Sequence, residues 1–279
     1  MRVIKSATIT EKVKEILLEA NIDLGKPFIE RIKEALEAEK STLGKSVLSQ
    51  IIDNSEIAQK RRIPLCQDTG IVVVFVELGY DVRLEDDLYE AINEGVRQAY
   101  TEGYLRKSVV SHPLQRINTQ DNTPAIVHVD LVKGDKIKIT VAPKGGGSEN
   151  MSLVKMLIPA DGVEGIKKLV LDTIFHAEGK PCPPLVVGVG IGGNLEKSAI
   201  LAKKAILRDI DDSNPDPILA KLEAELLTEI NELGVGPMGF GGITTALAVK
   251  VLSYPCHIAS LPVAINLQCH ASRHKSVII

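Results

Sequence analysis

Tryptophan is absent from this 279-residue chain, and four Phe and five Tyr bring aromatic residues to only 3%. Any core must therefore rest on Ile, Val and Leu, and the apolar fraction of 44% is enough to build one. An excess of either charge is also missing. Lys and Arg number 33 against 36 Asp and Glu, a net charge of −3, which excludes the basic footprint of a nucleic-acid binder. No apolar run is long enough to span a bilayer. The amino terminus, MRVIKSATITEKVKEI, lacks the apolar stretch of a signal peptide, so the expected setting is the cytoplasm, away from membranes. Cysteine pairs of the CxxC type are missing too. Cys66, Cys182, Cys256 and Cys269 lie far apart, and such thiols are expected to be reduced, metal-bound or buried rather than disulfide-linked.

The first sixty residues have helical periodicity, in TITEKVKEILLEANIDL, PFIERIKEALEAEK and GKSVLSQIIDNSEIAQKRR. Thr8 stands three residues before Glu11, as in a capping box. IVVVFVEL then reads as a strand covered on both faces, and LEDDLYEAINEGVRQAYTEGYL as a helix. In AIVHVDLVKGDKIKITVA two β-rich runs flank a Lys-Gly-Asp turn, which predicts a hairpin. The glycine loop PKGGGSEN leads into a helical MSLVKMLIP, and a further helix, GVEGIKKLVLDTIFHAEG, precedes the strand of PCPPLVVGVGIGGN. Helices are expected near 195–209 and 216–233, then two strands in GITTALAVKVLSYPCHIASLPVAINLQCH. The expected class is mixed α/β (α+β): a helical amino-terminal lobe over 1–62, then a mixed sheet with an antiparallel hairpin and covering helices. No flexible linker divides the chain, so residues 1–279 are expected to be one domain.

GVGIGG, Gly188 to Gly193, matches a dinucleotide-binding fingerprint, with Asp209 about twenty residues on. The match fails in its context, because Asp209 ends a predicted helix instead of a second parallel strand, and another helix follows. KGGGS lacks the spacing of a phosphate-binding P-loop, although its glycines let the backbone approach a ligand.

Three cysteines stand in unusual settings: Cys66 in LCQDTG, Cys182 in GKPCPP and Cys269 in NLQCHASRH. Three soft thiolates from distant segments suit an iron–sulfur cluster better than zinc, whose structural sites use closely spaced pairs. Three ligands are one short of the four that a cubane takes, which would leave one iron open as a Lewis acid. Taken in order, PLCQDTG, LRKS, KGGGSEN, GKPCPPLVVGVGIGG and INLQCHASR resemble the iron–sulfur (class I) fumarate hydratases and their relatives the L-tartrate dehydratases, over essentially the whole chain.

The resemblance implies that Cys66, Cys182 and Cys269 hold a [4Fe-4S] cluster with one iron open to substrate. It also implies that Asp68 moves a proton, and that Gln67, Arg106, His257 and either Gly146 or Gly147 contact the substrate. A dicarboxylate needs the planar, bidentate cation that Arg106 offers. Cys256 lies outside the pattern and is expected to be a core thiol, while His270 and His274 have no implied role. Single-chain members of the family continue into a second domain, whereas this sequence ends at RHKSVII. The resemblance is therefore to the α subunit of a two-subunit hydro-lyase, a hetero-oligomer whose β subunit completes the site. The expected reaction is reversible hydration of fumarate to (S)-malate. The alternatives are dehydration of tartrate to oxaloacetate and, from another class, a non-catalytic metal- or thiol-containing scaffold.

Overall fold

The computed structural model describes residues 2–279. Its elements run β1 (Arg2–Ile4), α1 (Ser6–Ile22), α2 (Lys26–Ala38), α3 (Thr42–Arg61), β2 (Ile71–Gly79), β3 (Val82–Leu84) and α4 (Leu88–Glu102). There follow β4 (Ile126–Val132), β5 (Ile137–Lys144), α5 (Gly146–Glu149), β6 (Leu153–Leu157), α6 (Gly162–Ala177) and β7 (Leu185–Gly192). The chain closes with α7 (Leu195–Ala205), α8 (Pro217–Glu232), β8 (Ala246–Tyr254), β9 (Leu261–Gln268) and β10 (Lys275–Ile278). The class is α/β, as expected. Two compact units divide the chain: residues 1–24, 54–146 and 273–279 form one, and residues 25–53 and 147–272 the other. The boundary falls inside α3, after Asp53.

In the first unit the strand order is β10-β5-β2-β4. β2 is the buried run that the sequence announces: Val72, Val74 and Val76 pack with Ile9, Val13 and Leu17 of α1 and Ile92, Val96 and Tyr100 of α4. On its other face Val73 and Phe75 are buried as well, with Phe75 stacked on His128 of β4. The expected β4–β5 hairpin does not form. The two strands flank β2, β4 running parallel to it and β5 antiparallel. The physical reason is that β2, apolar on both faces, needs a neighbour on each edge, and α4 supplies the crossover that makes β4 its parallel partner. The Lys133–Lys136 turn instead folds over the end of β2: Gly79 N donates to Lys136 O, Tyr80 N to Val132 O and Asp81 N to Gly134 O, each at 2.9 Å. α1 begins at Ser6 with Lys5 as its N-cap and no side-chain cap, so Thr8 lies inside the helix and the expected capping box is not made.

The second unit holds the sheet β6-β9-β7-β8. α6 and α8 cover one face, with Ile166, Val170, Ile174, Leu222, Leu226 and Ile230 packed on Val187, Val189, Val249 and Val251. α7 covers the other face at Gly188 and Gly190. A Cβ at either glycine would collide with the α7 backbone at Ala202 O or Ser198 O, so these residues of GVGIGG serve close helix–strand packing. β7 and β8 are parallel neighbours joined through two helices, a crossover that the sequence reading did not foresee. The segment MSLVKMLIP is not a helix. Leu153–Leu157 form strand β6, recruited by antiparallel pairing to β9, between the four-residue α5 and a single 3-10 turn at Pro159–Asp161. Tertiary pairing overrode the local period.

Two buried carboxylates hold the second unit at its margins. Glu39, 1% exposed, follows α2 and accepts from the backbone N–H groups of Lys40, Ser41, Ile243 and Thr244. Burial would raise its pKa, but these four donors together hold it below its ordinary value. At the free edge of β8, Glu223 Oε1 accepts from Val251 N, and Arg208 and Asn214 donate to Val251 O, which blunts the edge. Asp212 lies beside Arg208 and Lys250. Burial opposes its ionisation, and the two cations outweigh burial, so its pKa is lowered too.

Glu39 and Asp212 titrate lower in the folded chain than in the unfolded one. The stability they give is therefore present above the ordinary carboxylate pKa and is lost as pH falls through the folded values. Acid titration is expected to unfold the protein below about pH 4. Glu39→Gln should lower stability by roughly 1–3 kcal/mol at neutral pH and flatten that acid limb, as followed by urea denaturation across pH.

Candidate functional site

Between α3 and β2 the chain makes a turn, Cys66-Gln67-Asp68-Thr69-Gly70. It is shaped by Gly70, whose φ of +77° and close approach to the Lys144 backbone (2.6 Å from a Cβ placed there) leave no room for a side chain. The carbonyls that follow Asp68 are all engaged by buried donors. Arg273 Nη1 donates to Asp68 O at 2.6 Å, Tyr100 OH to Thr69 O at 2.6 Å, and Asn122 Nδ2 to Gly70 O at 3.2 Å. All three side chains are at most 2% exposed. Burial raises the Tyr100 pKa well above its ordinary value, against the lowering influence of Arg273, so the hydroxyl stays a donor.

This scaffold aims the Asp68 carboxylate. Its Oδ1 accepts from Gly70 N and lies 3.1 Å from Arg106 Nη2, and its Oδ2 accepts from Gly146 N at 2.8 Å. Asp68 thus both closes its own turn and faces a guanidinium. Arg106 is tied to the same turn, since Thr69 Oγ1 donates to its carbonyl at 2.9 Å. The structure brings Asp68, Arg106 and Gly146 together within the first unit. Cys66 and Gln67 are exposed on the same turn. Tyr100, Asn122 and Arg273 were missed by sequence reasoning. Arg273 was within reach, being part of the CHASR stretch beside Cys269. Nothing local marks Asn122 as buried.

In the second unit Cys182 precedes β7 and Cys269 follows β9. The strands are antiparallel, with Val186 opposite Gln268, so both cysteines emerge at the same end of the sheet. Their loops are fastened: Cys182 O accepts from His270 N at 3.2 Å and lies 3.0 Å from His270 Nδ1. Cys182 has the left-handed φ of +57°, a strained setting for a non-glycine residue. Both cysteines are half-buried. Gly147 belongs to this unit, where a Cβ on it would stand 3.2 Å from Lys180 O in the Cys182 loop.

His257 is placed otherwise. It lies on the exposed loop that precedes β9, where its Nδ1 accepts from Ala259 N. Eight residues of β9 separate that loop from Cys269, about 25 Å of extended chain. With Gly193, Lys197 and Tyr254 it lines a cavity of about 440 Å³ at the opposite end of the sheet. Cys256 is on the same loop and exposed, its Sγ 3.4 Å from Ser260 O. The expectation of a core thiol is therefore wrong: Cys256 sits in a turn outside the β8 and β9 runs that the core takes up.

Within either unit, no three His, Cys, Asp or Glu side chains among the described residues are arranged to hold a metal ion. The chemistry of the cysteine side chains in each unit is nonetheless compatible with iron and sulfide. Cys66, Cys182 and Cys269 carry sulfur on loops at strand ends, with their side chains exposed or half-buried, and soft thiolates at accessible positions suit iron and sulfide. Among the described residues, no helix is long and apolar enough to cross a membrane.

Known proteins resemble the chain along nearly all its length. A family model described as fumarate hydratase (Fumerase) matches residues 10–278. A putative L(+)-tartrate dehydratase subunit alpha from Methanocaldococcus jannaschii is 47% identical over 272 residues, which cover 95% of each chain. The L(+)-tartrate dehydratase subunit alpha of Escherichia coli strain K12 is 32% identical over 255 residues, 90% of this chain and 84% of that one. The corresponding subunit of Escherichia coli O157:H7 is 33% identical over the same shares. With its sequence matched from the first helix to the last strand, the chain belongs to the fumarate hydratase (Fumerase) family of hydro-lyases.

Proposed function

We propose that this chain is the α subunit of a two-subunit [4Fe-4S] hydro-lyase that acts in the cytoplasm and reversibly hydrates fumarate to (S)-malate. In this reading residues 1–279 work as one α-subunit domain. The observation that carries it is the grouping of Asp68, Arg106 and the Gly146 N–H around a turn whose last three carbonyls are held by buried side chains. A carboxylate that can take a proton stands beside a cation that can take a carboxylate, which is what elimination of water from a hydroxy-dicarboxylate requires. A second reading, tartrate to oxaloacetate, is favoured by the names of relatives that align over 95% and 90% of this chain. Those names also support a β-subunit partner, since each describes a subunit alpha.

Arg106 would receive a substrate carboxylate through its planar fork, displacing the Asp68 oxygen it now faces. Asp68, still held through Gly70 N and Gly146 N, would take the proton from the carbon next to that carboxylate. As the C–H bond breaks, the electron pair forms the double bond and hydroxide leaves the neighbouring carbon. In hydration Asp68 returns the proton. The exposed Gln67 amide and the Gly147 backbone are the remaining substrate contacts on offer, since the Gly146 N–H is engaged by Asp68. Cys66, Cys182 and Cys269 would hold the cluster, which when bound supplies a Lewis acid for the oxygen that leaves. A part for His257 at the same substrate requires a second copy of the chain, because the length of β9 stands between it and Cys269.

Anaerobic reconstitution with iron and sulfide is expected to load about four irons per chain, and Cys66→Ser to lose them, as read by metal analysis and the visible spectrum. A protein that takes up a single zinc instead would leave the scaffold reading standing. The chain alone should be nearly inactive and should gain activity with its β subunit. Assays of that complex with fumarate, malate and tartrate decide the substrate, and full activity of the isolated chain would overturn the two-subunit reading. Asp68→Asn should lower kcat by about 10²–10⁴-fold while cluster content and dicarboxylate binding persist, as measured by steady-state kinetics and calorimetry.

A further inference from the structure

The segment that carries Arg106 lies between α4 and β4, outside any regular element. One side chain does most to fix it. Asn122 is fully buried and adopts a φ of +64°, a conformation that Asn tolerates better than most residues. Its Oδ1 accepts from Ser108 N at 2.6 Å and Val109 N at 3.3 Å. Its Nδ2 donates to Gly70 O at 3.2 Å. A single amide therefore accepts from the loop that carries Arg106 and donates to the turn that carries Asp68. Aspartate at this position has no donor for Gly70 O, and glycine keeps the backbone conformation but supplies neither half.

Asp68 does not depend on this link. Gly70 N and Gly146 N hold its carboxylate, and Arg273 holds its carbonyl. Arg106 has fewer restraints: the Thr69 hydroxyl on its carbonyl, a long 3.4 Å contact from Nε to Ser108 Oγ, and the Asp68 carboxylate itself. The Asp68 contact is the one that a substrate would replace. With substrate bound, the place of the guanidinium is then set by Thr69, by Asn118 Nδ2 on Lys107 O at 2.9 Å and by the Asn122 clamp on residues 108 and 109.

We infer that Asn122 is a positioning residue for dicarboxylate recognition, its buried amide setting where Arg106 stands relative to Asp68. This rests on the reading of Arg106 as the partner of a substrate carboxylate. Arg106 meets that carboxylate in the ground state and the transition state alike, so misplacing it weakens binding uniformly and raises KM with little change in kcat. A role in stability alone would act differently, lowering kcat with the active fraction and leaving KM where it was.

The test uses the cluster-loaded complex of α and β subunits with Asn122→Asp and Asn122→Gly. Both variants are expected to raise KM for the dicarboxylate that is turned over by about tenfold, with kcat within about twofold of wild type. In an Arg106→Ala background, Asn122→Gly should change kcat/KM hardly at all, because the residue through which it acts is gone. Hydrogen exchange, read without substrate, separates the two halves of the amide. The Ser108 and Val109 amides should exchange faster in Asn122→Gly and stay protected in Asn122→Asp, while amides in β2 keep their protection in both. A lower kcat at unchanged KM, additivity with Arg106→Ala, or unaltered exchange at Ser108 and Val109 in the glycine variant would each overturn the inference. If the wild-type complex neither binds nor turns over fumarate, malate or tartrate, the functional reading fails and recognition through Arg106 fails with it. Exchange at Ser108 and Val109 then reports separately whether the clamp exists.

Discussion

Three backbone carbonyls in a row, those of Asp68, Thr69 and Gly70, are held by side chains that are themselves buried: Arg273, Tyr100 and Asn122. An unpaired carbonyl in such a setting would cost as much as a lost hydrogen bond, so each donor is needed where it stands. The donors come from three distant parts of the first unit: the end of α4, the loop before β4 and the start of the last segment. The turn cannot move without disturbing all of them. Preorganisation of this kind lets a carboxylate wait at a fixed place without paying for reorganisation when it reacts.

The second unit solves a related problem with backbone in place of side chains. Cys182 O meets His270, and one carbonyl fastens the two loops that carry Cys182 and Cys269. Antiparallel pairing of β7 and β9 brings those loops to one end of the sheet, and the same pairing sends His257 to the other end. Register thus decides which of the residues implied by motif can act together within the unit. Spacing along the chain does not: His257 stands twelve positions before Cys269 in sequence, and the eight residues of β9 between them are spent on crossing the sheet.

Much of this was legible in the sequence and some was not, for physical reasons. The helices were clear because their apolar residues keep the 3.6 period, and β2 was clear because an unbroken β-branched run has few other uses. The Cys-Gln-Asp turn stood out through its glycine and its unusual residue types. What stayed hidden depended on partners far along the chain. β6 reads as helix until β9 is there to pair with it. Asn122 and Tyr100 look like an ordinary turn residue and an ordinary helix residue until the Gly70 carbonyl arrives beside them. Cys256 resembles a core thiol by composition, yet the loop that carries it has no core to enter.

The placement of β2 between β4 and β5 also bears on how the chain reaches this arrangement. A four-residue connection makes β4 and β5 the quickest strands to meet, since short loops close fastest. In the finished sheet they never touch, and β2, made earlier in the chain, occupies the space between them. Every native pairing of β2 is long-range, with Ile71 opposite Lys144 and Val73 opposite Ile126. The same apolar run that anchors the first unit thus draws all its pairings from far along the chain, and non-local pairing of this kind slows folding.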